Sequence, residues 1–311
     1  MNSKLARGLV AVLSAGALAA AAAPAADAPD APAATPATPA TAPQGAPAGV
    51  EAALSVSDIV NMTNYVAYYQ GADGRAQVKM TIVDDQERQR VREFTILRWD
   101  QKDPKAKDEK DPVGLRQLDR TYCAEQKFYL YFQQPPDVNK MSFLVWKHLQ
   151  ADDDRWLYLP ALDLVKRVAS SDKRTSFVGS DFFYEDVSGR NIDDDEHELL
   201  ETDKTYYVLK NTPKDPKPVE FSYYKMWIHR KTFLAVQISY YDRQGKEYRR
   251  YNALNVKTIQ GYPTVVKSRM SNLQAKGYTV LEYEDVKYDI GVQESIYTER
   301  YLRTPPHEYL K

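Results

Sequence analysis

Histidines and runs of acidic residues are the side chains of this sequence that could bind a metal ion. HELLE (197–201) has the first half of the two-histidine zinc motif found on metalloprotease helices, but Glu201 stands where the second histidine would be. The acidic runs DDD (152–154) and DDDE (193–196) lack the alternating ligands, central glycine and distal glutamate of a calcium loop. We therefore predict no metal site, and we interpret both acidic runs as solvated turns between strands.

Two short motifs contain a serine that could act as a nucleophile. SSDK (170–173) has the Ser-x-x-Lys spacing, but that chemistry needs both residues on one helical turn, and here the pattern follows a predicted strand. GSD (179–181) lacks the second glycine of a nucleophile elbow. We predict that the protein is not an enzyme and needs no cofactor. Turnover that is lost when Asp181 or His148 is mutated would contradict this prediction.

The segment SFVGSDFFYEDVSGR (176–190) combines glycines, serines and acids with three consecutive aromatic residues. A large ring left in water forfeits about 1.5–3 kcal/mol of burial. The composition therefore indicates either that the rings close over another part of the molecule or that the segment holds a functional site.

The start of the chain has the pattern of an export signal. Lys4 and Arg7 precede an apolar run of about 15 residues, shorter than the roughly 20 that a membrane-spanning helix needs. The run ends in small residues that suit signal peptidase. We predict a signal peptide over 1–23, with Ala26 as an alternative last residue.

The composition changes twice after the predicted signal. Residues 24–50 are almost all Ala, Pro and Thr, which predicts a disordered linker, and the folded domain is predicted over 51–311. Cys123 is the single cysteine, so we expect a buried thiol with no disulfide-linked partner. The net charge of −1 gives no basic footprint for nucleic acid and no polybasic patch for anionic lipid.

Most of the predicted domain has the period-two pattern of antiparallel β-strands. The alternation from Leu234 ends at DRQGKEY, where Gly245 can adopt the positive φ of a hairpin turn, and the next strand is predicted from Glu247 to about Ile259. Similar segments and short turns predict about ten to twelve strands. Helices are predicted in SVSDIVNMTNYVAYY, with Ser57 as N-cap, and in QESIYTERYLR.

Several predicted strands carry large apolar side chains on both faces. In KFYLYF (127–132), phenylalanine and leucine alternate with tyrosine, whereas a sheet with one face in water shows cleaner alternation. Two interpretations are open. Either one face packs the core while tyrosines decorate the other, or a curved sheet wraps a cavity that a helix or lid covers.

The run from 141 to 190, which begins MSFLVW and ends EDVSGR, resembles the signature block of the LolA-like outer-membrane lipoprotein-sorting proteins. ESIYTERYLRTPP near the end of the chain resembles them too, and the resemblance extends over about residues 70–306. It implies a mainly β, single-domain, half-open antiparallel barrel with a few covering helices, of the LolA/LolB type. Carriers of that fold shelter acyl chains in an apolar cavity in the Gram-negative periplasm. This branch is similar to proteins found beside exporters of the resistance-nodulation-division class, which implies such an exporter as a membrane partner.

Two functions are compatible with this resemblance. The first is a soluble periplasmic carrier that holds lipoprotein acyl chains or another lipid and passes them to a membrane partner. The second is an accessory subunit that docks on the exporter with a filled interior and carries nothing.

Under either function the segment 176–190 is expected at the barrel mouth, as a mobile lid or as a fixed plug. Gly179 and Gly189 would act as hinges, while Asp181, Glu185 and Asp186 would stay at the wet edge. The residues expected to line the cavity or form the lid are Trp146, Trp156, Phe182, Phe183, Tyr184 and Trp227.

Overall fold

A computed structural model describes residues 54–101 and 125–311 of the chain. The predicted signal peptide, the predicted linker and Cys123 lie outside these residues. The described part contains thirteen β-strands in one antiparallel sheet, against the ten to twelve predicted from the sequence. The expected antiparallel, mainly β architecture is confirmed.

The strands are short in the middle of the chain and long towards its two ends. They are β1 (Asp73–Val83), β2 (Gln89–Asp100), β3 (Gln126–Gln134), β4 (Ser142–Lys147), β5 (Asp154–Leu159), β6 (Leu164–Arg167), β7 (Asp195–Thr202), β8 (Tyr206–Pro213), β9 (Tyr223–His229), β10 (Ala235–Tyr241), β11 (Glu247–Ile259), β12 (Tyr262–Asn272) and β13 (Gly277–Tyr288). The α-helices are α1 (Val56–Asn64), α2 (Tyr184–Ser188) and α3 (Glu299–Arg303).

The order of strands across the sheet follows the order along the chain, with one exception. The spatial order is β6-β5-β4-β3-β2-β1-β13-β12-β11-β10-β9-β8-β7. Most consecutive strands are joined by short connections and pair with each other, while β2 and β3 pair although residues 101–125 separate them. The pairing of β1 with β13 brings the two halves of the chain into one sheet. In the described part of the chain β6 and β7 are the edges and do not pair with each other, so the barrel is incomplete.

The first predicted helix is present, but its start differs from the prediction. Ser55, and not Ser57, is the N-cap: its hydroxyl accepts a hydrogen bond from the Asp58 N–H at 3.1 Å, and the Asp58 carboxylate accepts one from the Ser55 N–H at 3.0 Å. This reciprocal pair is a capping box, which places Ser57 inside the first turn. The helix continues as a π-helical turn, Tyr65–Tyr69.

Both faces of the strands β2 to β5 are covered, which explains the apolar residues on both sides of these strands. We call the face that carries Phe143 and Val145 the inner face, and the face that carries Leu144 and Trp146 the outer face. The inner face is covered by α1 and by the segment 168–190.

The outer face of β2 to β5 is covered by the end of the chain. Three hydrogen bonds to backbone carbonyls hold this segment: Trp146 Nε1 donates to Tyr297 O (2.8 Å), the Tyr129 hydroxyl to Tyr301 O (2.8 Å) and the Ser142 hydroxyl to Leu302 O (2.7 Å). Only part of the second predicted helix forms, because a 3-10 turn, Glu294–Ile296, precedes the short α3.

Candidate functional site

The inner face borders a partly open cavity of about 440 Å³. Its floor is formed by strands from both halves of the sheet, through side chains such as Met80, Phe94, Met226, Ile238 and Leu281. This volume lies within the range of about 300–1,000 Å³ that is typical of small-molecule sites. The sheet and the elements that cover it therefore leave space for a small molecule, and a ligand-binding cavity beneath a lid stays a prediction.

The roof of the cavity is formed by α1 with its π-helical turn and by the segment 174–192. Val60, Thr63 and Ala67 are spaced at three to four residues along the chain, so that one face of the helix borders the cavity. The adjoining side of α1 packs Ile59 and Met62, both fully buried, into an apolar cluster against β8 and β9. The helix is thus fixed by its buried face while its other face borders the cavity.

Tyrosines give the apolar cavity a set of hydroxyl groups. Tyr240, Tyr251 and Tyr283 all line it, from β10, β11 and β13. Burial raises the pKa of Tyr240 and of Tyr251 to about 12 and raises the pKa of Tyr283 further. These hydroxyls therefore stay uncharged near neutral pH and can donate or accept hydrogen bonds.

The aromatic segment 176–190 packs onto the inner face. Phe177 and Phe182 are buried in the main core, and the Phe177 ring lies 5.4 Å from the Phe143 ring. Tyr184 lies 5.3 Å from Phe143, and the Phe183 ring lies 3.9 Å from the Arg249 guanidinium carbon. Of the three consecutive rings only Phe182 lines the cavity, and the role of the three as a lid stays a prediction.

Buried ion pairs tie α2 and the residues beside it to their neighbours. Glu185 pairs with Arg174, Asp186 pairs with Arg249, and Asp195 pairs with Arg190 at 2.9 Å. Since breaking one partner of a buried pair leaves an uncompensated charge, each pair ties the segment firmly to its neighbours.

Two expectations about these acidic residues were wrong. Glu185 is 3% exposed and so does not lie at the wet edge, and Asp195 is 2% exposed, although its acidic run was interpreted as a solvated turn. The Tyr224 hydroxyl also donates to Asp195 at 2.8 Å. Each acid finds a basic partner that the sequence pattern does not reveal, because the partner is brought to it by the fold.

The two glycines predicted as hinges both have φ of +77°. At Gly189 a Cβ atom would lie 2.3 Å from Cζ of Tyr68, so only glycine fits beneath that ring. At Gly179 the nearest atom, Nη1 of Arg90, would lie at an ordinary 3.6 Å. The backbone conformation explains both glycines, and hinge motion stays a prediction for both.

Of the six residues predicted for the lining and lid, Phe182 lines the cavity, while Phe183 and Tyr184 lie beside it in the same segment. Trp146 and Trp156 lie instead on the outer face, with their rings 5.1 Å apart under the end of the chain. Trp227 alternates with Met226 and Ile228, which line the cavity, so it also faces outward. The three tryptophans were misplaced because aromatic content does not indicate which face of a strand is the inner one.

The polar motifs considered as chemical sites are engaged in structural contacts. His197 lies on β7, and Lys173 pairs with Asp152 and with Glu185 at 3.5 Å each. Within residues 54–101 and 125–311, no group of three or more His, Cys, Asp or Glu side chains is placed to hold a metal ion. No helix in this part of the chain is long and apolar enough to cross a membrane.

Residues 124–304, more than half of the chain, match the model of a family that is described as an uncharacterized protein. Two solved structures are similar over most of their length: a DUF1329 family protein from Desulfovibrio piger ATCC 29098, and a domain named as an outer membrane lipoprotein-sorting protein from Vibrio parahaemolyticus. Each is 26% identical with a TM-score of 0.66, and the match covers 79% of this chain and 97% of that structure. The chain therefore belongs to the family of this model, and its structural neighbours are DUF1329 and outer membrane lipoprotein-sorting proteins.

A LolA superfamily protein from Nitrosomonas europaea supports the same fold. It has a TM-score of 0.57 at 16% identity, and the match covers 80% of this chain and all of that structure. A search of curated proteins finds no match. In this LolA-like protein the block 141–190, on which the family resemblance rested, forms β4, β5, β6 and α2, which together bound the inner face.

Proposed function

We propose that this LolA-like protein is a periplasmic carrier, and not an enzyme, that shelters lipoprotein acyl chains or another lipid in the cavity and passes them to a membrane partner. The observation that carries the proposal is the apolar cavity of about 440 Å³ between the inner face, α1 and α2. A similar structure supports it, since that structure is named as an outer membrane lipoprotein-sorting protein domain.

Burial of an acyl chain supplies the driving force in this proposal. Each CH₂ group removed from water contributes about 0.8 kcal/mol, so a 16-carbon chain offers about 12 kcal/mol before the costs of ordering it. Release then needs a partner that offers a better site or that shifts the protein towards an open state. An inner-membrane exporter of the resistance-nodulation-division class is the partner we propose.

The second candidate function is an accessory subunit that docks on such an exporter and carries nothing. The packing of Phe177, Phe182 and Tyr184 into the main core favours it, because these rings already fill one side of the inner face. The two functions differ in whether the remaining cavity takes up a lipid.

The first test is to extract the purified protein with organic solvent and to identify the extracted molecules by mass spectrometry. The carrier function predicts a lipid in near-stoichiometric amount. A clean extract, repeated after incubation with membranes of the expression host, would support the docking subunit.

A matched pair of variants connects the extracted lipid to the cavity. Ile238→Trp places a large ring into the cavity, whereas Val280→Trp places the same ring on the outer face of β13. The carrier function predicts that the first variant loses most of its lipid and the second keeps it. Equal lipid in both variants would mean that the lipid binds elsewhere.

A further inference from the structure

Two uncharged side chains that border the cavity each have a buried polar atom without a hydrogen-bonding partner. Thr63 is 7% exposed and Asn211 is 2% exposed, and both line the cavity. Thr63 Oγ1 and Asn211 Nδ2 have no partner in the described structure. An unpaired buried polar atom costs about 1–3 kcal/mol, so these two atoms need an explanation.

The two groups lie on the same side of the cavity. Thr63 is on α1, which packs against Leu209 of β8. Asn211 is two residues further along β8 and therefore on the same face as Leu209. A single end of a bound molecule can thus approach the helix and β8 together.

Contacts around His197 define what the Asn211 amide can offer. The Ile192 carbonyl can only accept, so Nε2 of His197 donates to it, at 2.9 Å. The amide of Asn211 meets Nδ1 of the same ring at 2.7 Å. If the ring is neutral, its Nδ1 accepts a hydrogen bond from the amide nitrogen of Asn211, and the amide oxygen is left unpaired. If both ring nitrogens carry a proton, Nδ1 donates to the amide oxygen, and the amide nitrogen is left unpaired. One amide atom faces the cavity in both cases.

A hydroxyl group on the ligand can form a hydrogen bond with Asn211 in both cases, whichever amide atom is unpaired. It donates and accepts, as does the Thr63 hydroxyl that it would meet. A charged group fits less well, because the charged side chains that border the cavity are already engaged. Arg174 pairs with Glu185 and Arg190 with Asp195, while Arg98 donates to the backbone carbonyls of residues 68 and 71.

We propose that the cavity selects lipids whose buried end carries an uncharged hydroxyl group, with the Thr63 hydroxyl and the Asn211 amide as its hydrogen-bonding partners. This inference rests on the proposed carrier function and names its ligand class. It places the polar end of the lipid inside the protein, at α1 and β8, and the alkyl chain along the apolar floor of the cavity.

The test compares two probes that differ only at this end, dodecan-1-ol and dodecyl methyl ether. Each is titrated into the purified, delipidated full chain against a fluorescent apolar dye bound in the cavity, and the displacement constants are compared. One net hydrogen bond corresponds to about a two- to tenfold difference, so we expect the alcohol to bind more tightly than the ether by that factor.

The double variant Thr63→Val, Asn211→Leu keeps the volume of both side chains and removes their polar atoms. It should bind the alcohol as weakly as the ether, with ether affinity within about twofold of the natural protein. Thr81→Val and Asn255→Ala, which lie on the outer face of β1 and at an exposed position of β11, are the matched controls and should keep the preference for the alcohol.

The outcomes separate this inference from the function on which it rests. If alcohol and ether bind equally well to the natural protein, the polar end is filled by water alone and the hydroxyl inference fails, while the carrier function stands. If the double variant keeps the full preference, the assigned partners are wrong. If neither probe displaces the dye, both the carrier function and the inference fail.

Discussion

Replacement of Gly189 by alanine tests how α2 is seated on the π-helical turn. The residue has φ of +77° and ψ of 155°, a region that is essentially restricted to glycine, so the backbone alone costs about 1–3 kcal/mol. The added Cβ would also lie 2.3 Å from Cζ and 2.6 Å from the hydroxyl of Tyr68. Non-bonded carbon atoms pack at about 3.5–4.0 Å, so the ring must shift by more than about 1 Å.

Tyr68 cannot make this shift freely. Its backbone carbonyl accepts hydrogen bonds from Arg98 and from Gln126, each at 2.7 Å, and Nζ of Lys147 lies 4.8 Å from its ring. Overpacking of this kind costs about 1–3 kcal/mol. With the backbone contribution, Gly189→Ala should lower the free energy of unfolding by about 2–6 kcal/mol.

The assay is urea-induced unfolding followed by tryptophan fluorescence, and Gly245→Ala is the matched control. Gly245 also has a positive φ, +76°, but nothing lies within 4 Å of its Cβ position, so only a backbone cost of about 1–2 kcal/mol is expected. The difference between the two variants isolates the contact with Tyr68. Equal losses of stability in both variants would refute the contact.

Two further variants probe the outer face and the acid response. Trp146→Phe removes the indole N–H that donates to Tyr297 O at 2.8 Å, so it should lower the free energy of unfolding in urea by about 1–3 kcal/mol. Because the side chain lies on the outer face, dodecan-1-ol binding should stay unchanged, and weaker binding would contradict the outward placement. At Glu220, burial raises the pKa, but hydrogen bonds and charge from Arg174, with the Tyr248 hydroxyl, lower it overall. A carboxyl group whose pKa is lowered by folding stabilises the folded protein at pH values above its ordinary pKa. This stabilisation is lost as the pH falls through the lowered pKa. The stability difference between the natural protein and Glu220→Gln should therefore shrink as the pH falls below the ordinary pKa of a glutamate, and a constant difference would exclude this role.

Local patterns of the sequence were sufficient for the strands and turns. The strand Glu247–Ile259 has the predicted bounds, and Gly245 has the positive φ that its hairpin requires. Alternation and turn chemistry depend on residues a few positions apart, which is why a single sequence reveals them. The family resemblance of the block 141–190 supplied the half-open barrel, which periodicity alone left open.

The tertiary structure decided what each strand faces and which charges meet. Trp146 and Phe143 lie three residues apart on one strand, yet one contacts the end of the chain and the other the inner core, because the alternation of a strand fixes two faces without saying which is inner. Arg249 reaches Asp186 across 63 positions of sequence. Such a pair exists only once the sheet has curved and α2 has docked on it, and so the cavity and its unpaired polar atoms are properties of the folded chain alone.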